Sequence, residues 1–318
     1  MWISPYKYVL SLGHLCSDIN QSILSAVLPF LIATYHYDYT TAAMLVTVSN
    51  VFGAFVQPFI GMLSDKKNKL LYMTLGVLLA SGGMAVTGFI SNFFGLCIAV
   101  IMSGIGVAMF HPQAAKLINS VSSKNAKGKG MSIFSFGGKV GFTLGPVYTA
   151  FLMNLFGMKG TILFLIPGIV FGIVCSFFNK DFENLDVLEV EKKEEVKSEQ
   201  KDDWSGFIKL CGVVFSRSIL SNGISTFLAF YFIQQFSKSN SFASMLLSVF
   251  YGIGSITLLG GGIADCFGHR KMVRLSFCIF LPAIFIFTNT SHFVIALIML
   301  IFMTCGESLS YSPMVVLG

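Results

Sequence analysis

Five polar side chains recur at helical spacing within the first apolar run of the chain. Ser11, His14, Asp18, Gln21 and Ser25 follow one another at steps of 3, 4, 3 and 4 residues, which places them on one stripe of an α-helix. Inserting a charged residue at the centre of a membrane helix costs about 2.5–3.5 kcal/mol, even on the insertion scale that gives the lower values. We therefore expect the stripe to face protein or a water-filled cavity, with Asp18 about 15 Å deep and near the bilayer midplane.

Asp18 and His14 are the predicted proton-coupling residues. An acid inside a membrane helix is either a structural group, paired with a cation or hydrogen-bonded to the next helix, or a proton carrier. His14 lies one turn earlier, where it is either a relay partner of Asp18 or the group that orients it through a hydrogen bond. Gln21, on the same stripe, is a candidate for a substrate-binding cavity.

Lys139 and His111 are further cavity candidates in the same half of the chain. Lys139 follows a Gly-Gly pair in the fifth apolar run, and it either neutralises an acid such as Asp18 or holds an anionic substrate group. His111 precedes Pro112 at the end of the fourth run. There the His-Pro pair is either a helix stop or a polar contact with the inner vestibule.

The second half of the chain supplies Arg217 and Glu307 as cavity candidates. Arg217 is followed by Ser221 and Ser225 at i+4 and i+8, so the three residues share a helix face. Arg217 either lines the cavity or extends its side chain to the cytoplasmic edge of the membrane. Glu307 lies within the tenth apolar run, where an ionisable residue is a candidate functional group.

Composition sets the class of protein that positions these groups. The 318 residues are 54% hydrophobic and only 11% charged, which is too little charge to cover the surface of a soluble domain of this size. The net charge of +6 belongs to loops between apolar runs, so we expect no nucleic-acid partner. Nucleophile triads, metal clusters and phosphate loops are not recognisable in the sequence. We therefore predict no enzyme, no cofactor and no metal.

The apolar runs predict ten membrane-spanning helices, six before a charged segment and four after it. Runs of about 20 apolar residues have the length needed to cross a bilayer as a helix. The predicted spans are residues 8–35, 42–63, 70–90, 93–110, 131–156, 161–178, 207–236, 242–264, 273–289 and 293 to the end.

Lysine and arginine predict the orientation of these spans. Ten basic residues occupy the short loops on one side and two occupy the loops on the other, if the amino terminus is cytoplasmic. Cytoplasmic loops carry the excess of Lys and Arg in membrane proteins. We therefore expect a multi-pass protein of the cell (inner) membrane with a cytoplasmic amino terminus.

An internal repeat divides the chain. The glycine–acid–basic pattern around Asp65 returns 200 residues later around Asp265, which indicates two related helical bundles. The predicted domains are a six-helix bundle over residues 1–178, a charged cytoplasmic linker over 179–204 and a second bundle over 205–318. We expect the second bundle to be incomplete, with about ten of twelve helices present. The predicted gating residues are Gly61, Asp65, Lys66, Gly261, Asp265 and Arg270.

The repeated loops resemble those between the second and third helices of each half of a major facilitator superfamily transporter. The first half is similar to the fosmidomycin resistance family within that superfamily. The motifs that carry this resemblance are Gly13-His14-Leu15 with Asp18, Gln57-Pro58, Gly104-x-Gly106 leading to His111-Pro112, and Phe136-Gly137-Gly138-x-x-Gly141 leading to Gly145-Pro146.

The resemblance implies an all-α membrane protein with two pseudo-symmetric bundles. It also implies an exporter that exchanges protons for a small polar drug or metabolite, in a lipid bilayer and as a monomer. Uptake of a small organic anion or sugar on the same fold stays open, as does a truncated protein that does not transport. In the transporting case, the two bundles rock about a midplane site. Asp65 then either balances the neighbouring lysines or latches one conformation.

Overall fold

A computed structural model of the chain describes residues 5–63, 69–121, 127–192, 204–256 and 268–309. Within these ranges the chain forms ten α-helices and two 3₁₀ segments, Thr87–Phe89 and Gly157–Phe164. The helices are α1 (Tyr6–Tyr35), α2 (Tyr39–Leu63), α3 (Lys69–Val86), α4 (Phe93–Ser120), α5 (Lys127–Phe156), α6 (Leu165–Lys192), α7 (Trp204–Phe236), α8 (Asn240–Ile256), α9 (His269–Asn289) and α10 (Phe293–Leu309).

The helical, membrane-type architecture confirms the predicted fold class. Seven stretches of the described residues are long and apolar enough to cross a membrane, and α10 is a shorter apolar helix. Each of the ten predicted spans overlaps one of the ten α-helices found in the described ranges. This agreement has a simple cause. A helix satisfies its backbone hydrogen bonds within one segment. Every spanning element other than a closed barrel must do so, because lipid offers the backbone no hydrogen-bonding partner.

The chain divides into two compact units, Met1–Ser198 and Glu199–Gly318. In the first unit α1 packs mainly on α5, while α3 packs on α4 and α6, and α2 packs on α4. In the second unit α7 packs on α8, and α10 packs on both α8 and α9. Helix α6 continues to Lys192, so the backbone is helical well into the predicted linker. The proposed domain boundaries themselves remain a prediction.

One predicted helix end is wrong. The sequence offered a stop at His111-Pro112 as one of two alternatives, but α4 runs through Pro112 to Ser120. Proline lacks an N–H and cannot bond the carbonyl four residues earlier. Helix α4 tolerates this loss because α1, α2 and α3 all pack along it. Its continuation keeps His111 on a regular helix rather than in a loop.

Close packing of α1 against α5 forms the seam on which the first unit is organised. Ser11 donates a hydrogen bond from Oγ to the carbonyl of Ile133 across this seam, at 2.8 Å. Gly138 faces α1 so closely that a Cβ there would lie 2.6 Å from Asp18 Oδ2 and from His14 Nε2. Small residues allow such approaches between membrane helices. The seam therefore presents the backbone of α5 directly to the polar stripe of α1.

Candidate functional site

Asp18 is buried in the first unit with a histidine beside each carboxylate oxygen. The residue is only 3% exposed. His14 Nε2, one turn earlier on α1, lies 3.2 Å from Asp18 Oδ2. His111 Nε2, from α4, lies 3.3 Å from Asp18 Oδ1. We call these three residues the histidine–aspartate cluster. It confirms the expectation that Asp18 faces protein rather than lipid.

His14 is held by its other ring nitrogen. His14 Nδ1 lies 2.8 Å from the carbonyl oxygen of Phe134 on α5. The imidazole also stacks on the Phe134 ring, with 4.1 Å between centroids and 23° between planes. Because a carbonyl oxygen only accepts, Nδ1 must carry the proton of this hydrogen bond. The second nitrogen, Nε2, is therefore the one left to face Asp18.

This tautomer has an electrostatic consequence for the cluster. A neutral His14 protonated on Nδ1 presents only a lone pair at Nε2, and an ionised Asp18 presents only lone pairs as well. Two acceptors 3.2 Å apart repel unless a proton or another cation lies between them. On Asp18 Oδ1 no described residue has a donor aligned for a hydrogen bond, although His111 is within ion-pair distance. The cluster is thus arranged to hold one extra positive charge.

A proton and a metal ion both suit this arrangement by donor type. The three side chains offer one ligand atom each within 4.8 Å of one another, and they are the one such group found among the described residues. Two imidazoles and a carboxylate are a donor set that transition metals accept. The sequence predicted no metal, so the possibility of a metal ion at this cluster emerges only from the structure.

The other cavity candidates of the first unit lie at different places. Lys139 is half-buried on α5, near enough to His14 for its charge to act on the imidazole. Gln21 is exposed on the surface of its unit and does not join the cluster. Gln113, which is fully buried directly after Pro112 and has an unpartnered Oε1, was not among the predicted site residues. Only its position after the His-Pro pair could have drawn attention to it.

Arg217 and Glu307 come together in the second unit. Arg217 Nη2, on α7, donates a hydrogen bond to Glu307 Oε1, on α10. Their side chains are 17% and 13% exposed. The guanidinium of Arg217 is therefore engaged by an acid that lies 90 residues further along the chain. The pairing satisfies two charges that would each be costly alone.

The predicted gating residues are only partly within the described ranges. Gly61 lies in the last turn of α2, and its carbonyl accepts a hydrogen bond from Lys116 Nζ at 3.1 Å. Arg270 belongs to the first turn of α9. Asp65, Lys66, Gly261 and Asp265 lie outside the described residues. Their gating role remains a prediction.

Comparison with known proteins places this architecture in a family. The family model of the Major Facilitator Superfamily matches residues 10–318. The chain belongs to the major facilitator superfamily. Membership makes it a multi-pass membrane transporter protein rather than an enzyme, and it confirms the superfamily resemblance seen in the sequence motifs.

Several curated relatives are similar over much of the chain. The fosmidomycin resistance protein of Escherichia coli (strain K12) is 23% identical over 269 residues, which are 83% of this chain and 66% of that protein. The multi-drug resistance efflux pump PmrA of Streptococcus pneumoniae serotype 4 is 28% identical over 148 residues, 45% of this chain and 36% of that protein. The chain thus spans about two thirds of the fosmidomycin resistance protein's length, and less of PmrA's.

Solved structures support the fold. A bacterial homologue of the human lysosomal transporter Spinster, inward-facing and occupied, matches with a TM-score of 0.80 at 16% identity, over 98% of this chain and 73% of that one. The inward-open xylose transporter XylE from E. coli matches with a TM-score of 0.76 at 15% identity, over 98% and 81%. At these identities the likeness concerns the fold alone.

Proposed function

We propose that this chain is a proton-coupled secondary transporter that exports a small polar drug or metabolite by antiport. The histidine–aspartate cluster carries the proposal. It combines an acid deep in a membrane helix, a histidine on the same helix and a histidine on a second helix. Intramembrane acids of this kind mark proton relays in pumps and transporters.

The net charge of the cluster depends on a single proton. With one proton shared, an ionised Asp18, one imidazolium and one neutral imidazole sum to zero. Without it, the same three groups carry one buried negative charge. An uncompensated buried charge is strongly unfavourable, so loss of the proton favours a conformation in which water reaches Asp18. Proton binding and release thereby bias two conformations in opposite directions.

The cluster also joins helices that such a change can move. Asp18 and His14 lie on α1, His111 lies on α4, and His14 bonds the backbone of α5. A proton entering from the outer side stabilises the packing of these three helices. One charge that crosses 100 mV contributes about 2.3 kcal/mol, enough for roughly a fiftyfold substrate gradient.

Export rather than uptake is favoured by the relatives. Two of them are named for resistance or efflux, and the motifs shared with the fosmidomycin resistance family run through the first half of the chain. The positive charge of the short loops supports a cytoplasmic amino terminus in the inner membrane. Uptake is the contrary outcome of the same experiment.

The test measures accumulation of fosmidomycin in cells that express the full chain. Export predicts lower accumulation than in cells without the chain, restored by a protonophore and also by Asp18→Asn. The matched control is Asp38→Asn, which changes an exposed acid whose Oδ1 accepts a hydrogen bond from the backbone of Thr41 and should leave accumulation unchanged. Higher accumulation in expressing cells would indicate uptake and contradict export.

A second measurement separates a proton from a metal ion at the cluster. Vesicles that contain the purified chain and a pH-sensitive dye should show proton movement when fosmidomycin is added outside. Vesicles that contain the Asp18→Asn variant should show no such movement. Substrate movement without any pH change, or movement that requires added Zn²⁺, would contradict proton coupling.

A further inference from the structure

Three donors converge on one carboxylate in the second unit. Glu307 Oε1 accepts hydrogen bonds from Arg217 Nη2 and from Ser221 Oγ, the latter at 2.7 Å. Glu307 Oε2 accepts from Ser308 Oγ at 3.3 Å. An arginine with hydroxyl groups around it is the set of donors that proteins use to bind carboxylates and phosphonate-type anions. Here the bound anion is a side chain of the protein itself.

Little free space remains beside this pair. The adjoining cavity has a volume of about 10 Å³ and is lined by Arg217, Leu220, Ser276, Phe277, Phe280, Gly306 and Glu307. Such a volume is at the lower limit for one water molecule. A carboxylate or phosphonate group therefore does not fit in this cavity while the Glu307 carboxylate occupies the guanidinium.

We propose that Arg217 binds the anionic group of the transported compound and that Glu307 is the internal competitor that occupies this site when no substrate is bound. The inference rests on the proposed transport function for the identity of the anion, which it limits to compounds with a carboxylate or a phosphonate group. Ser221 assists by donating a hydrogen bond to whichever anion is present.

Glu307 also neutralises the guanidinium of Arg217 when no substrate is bound. A mostly buried guanidinium without an anion is costly, because its charge has lost water and gained nothing in return. Glu307 supplies that anion in the empty state. Exchange keeps one anion on the guanidinium throughout, because the Glu307 carboxylate leaves it only as the substrate anion takes its place. Substrate therefore binds reversibly, whereas an unopposed buried arginine would hold it too tightly for release.

The position of Glu307 makes displacement feasible. It lies on α10 beside Gly306, where a Cβ would lie 2.9 Å from the backbone nitrogen of Phe280 on α9. The backbone of α10 is therefore fixed closely against α9, while the side chain of Glu307 reaches towards α7. The proposal accordingly requires the side chain of Glu307, and not the backbone of α10, to leave the guanidinium.

The test is equilibrium binding of methylphosphonate to the detergent-purified full chain, with its uncharged dimethyl ester as the neutral probe. Glu307→Gln should bind methylphosphonate at least about tenfold more tightly than the original chain, a change of about 1.4 kcal/mol. Arg217→Gln should lose this binding, and Arg217→Lys should retain only part of it, since an ammonium lacks the planar fork. The affinity for the uncharged ester should be the same for the original chain and for all three variants.

Ser225→Ala is the matched control on the same helix. Its hydroxyl donates to Asn222 O, away from the pair, and binding should be unchanged. If Glu307→Gln fails to fold, the Arg217→Gln/Glu307→Gln double variant removes both charges together. Methylphosphonate should then raise the Tm of the original chain and not that of the double variant. Equal affinity in the original chain and Glu307→Gln, or an equal Tm shift in the double variant, would overturn the proposal.

This experiment is independent of proton coupling. It is performed without a membrane or a gradient, so Asp18→Asn should bind methylphosphonate as the original chain does. Transport that fails while anion binding follows Arg217 and Glu307 would reject the proposed function only. Proton-coupled export of fosmidomycin that persists in Arg217→Gln would reject the anion site only.

Discussion

Each of the two units contains a mostly buried acid that is contacted from another helix, but the partners differ in kind. Asp18 lies between two histidines, whereas Glu307 is bound by an arginine and two serines. Histidine gains and loses its charge near neutral pH, and arginine stays charged in proteins. The first acid can therefore exchange protons with its surroundings. The second keeps a permanent cation beside it and can exchange only one anion for another.

The groups that surround the two acids differ accordingly. Asp18 faces Gly138 and the α5 backbone, where a close approach fixes the tautomer of His14. Glu307 faces hydroxyl groups, which donate a hydrogen bond to any anion. The partner of a buried acid, rather than its burial, decides which chemical species the site can exchange.

The largest expected effect is a reciprocal one. Asp18→Asn should reduce substrate-driven proton movement to background while leaving methylphosphonate binding intact. Glu307→Gln should do the reverse: it should strengthen methylphosphonate binding and leave proton movement measurable. The vesicle dye assay and the binding assay, applied to both variants, test this directly. If both variants lose proton movement equally, the two acids do not have separate roles.

A smaller effect is expected from the histidines taken one at a time. His111→Gln removes one neighbour of Asp18 but leaves His14 and its bond to Phe134 in place. We expect proton-driven export to fall by about tenfold, equivalent to about 1.4 kcal/mol, and not to vanish. The His14→Gln/His111→Gln double variant should match Asp18→Asn. Full activity in the double variant would remove both histidines from the coupling role.

Overpacking the contact between α1 and α5 should lower the stability of the protein. Gly138→Ala places a methyl group 2.6 Å from Asp18 Oδ2 and His14 Nε2, so the helices or the cluster must shift. Such overpacking costs about 1–3 kcal/mol, and the Tm of the purified chain should fall. Gly212→Ala on α7 is the control, because a Cβ there meets nothing within 4 Å. It should leave Tm unchanged or raise it slightly.

The smallest effect concerns an exposed acid, where the partner should matter least. Asp38, between α1 and α2, accepts a hydrogen bond from the backbone N–H of Thr41, and hydrogen bonding from Thr41 lowers the pKa of its carboxyl group. A carboxyl with a lowered pKa contributes stability above its unfolded pKa of about 3.9, and this contribution disappears as pH falls through the folded value. Asp38→Ala should therefore lower Tm slightly at pH 7. The difference should vanish in acid, and a difference that persists there would exclude this origin.

Much of the architecture could be predicted from the sequence. The lengths of the apolar runs located the ten helices of the described ranges, because lipid excludes unsatisfied backbone from a spanning segment. The error at Pro112 arose because proline weakens a helix locally while packing along α4 compensates for it. The burial of Asp18 was predictable as well, since an acid in an otherwise apolar helix cannot face lipid.

The partners that lie far along the chain from the two acids could not be predicted. The i, i+4 spacing of His14 and Asp18 is local, and their contact follows from helix geometry. His111 and Glu307, in contrast, lie 93 and 90 residues from the groups they meet, and no periodicity links them. The sequence presented Lys139 as a possible partner for Asp18. It did not indicate that α4 would be turned so that His111 also faces the acid.

The sequence by itself determined that this protein is a bundle of membrane helices with ionisable groups turned away from lipid, because hydropathy and helical period are local properties of the chain. The tertiary structure alone decided that Asp18 also meets His111 and that Glu307 meets Arg217. Those contacts depend on how each helix is rotated and how closely its neighbour approaches. That rotation and that approach result from the packing of small and large side chains along whole helices rather than from any single motif.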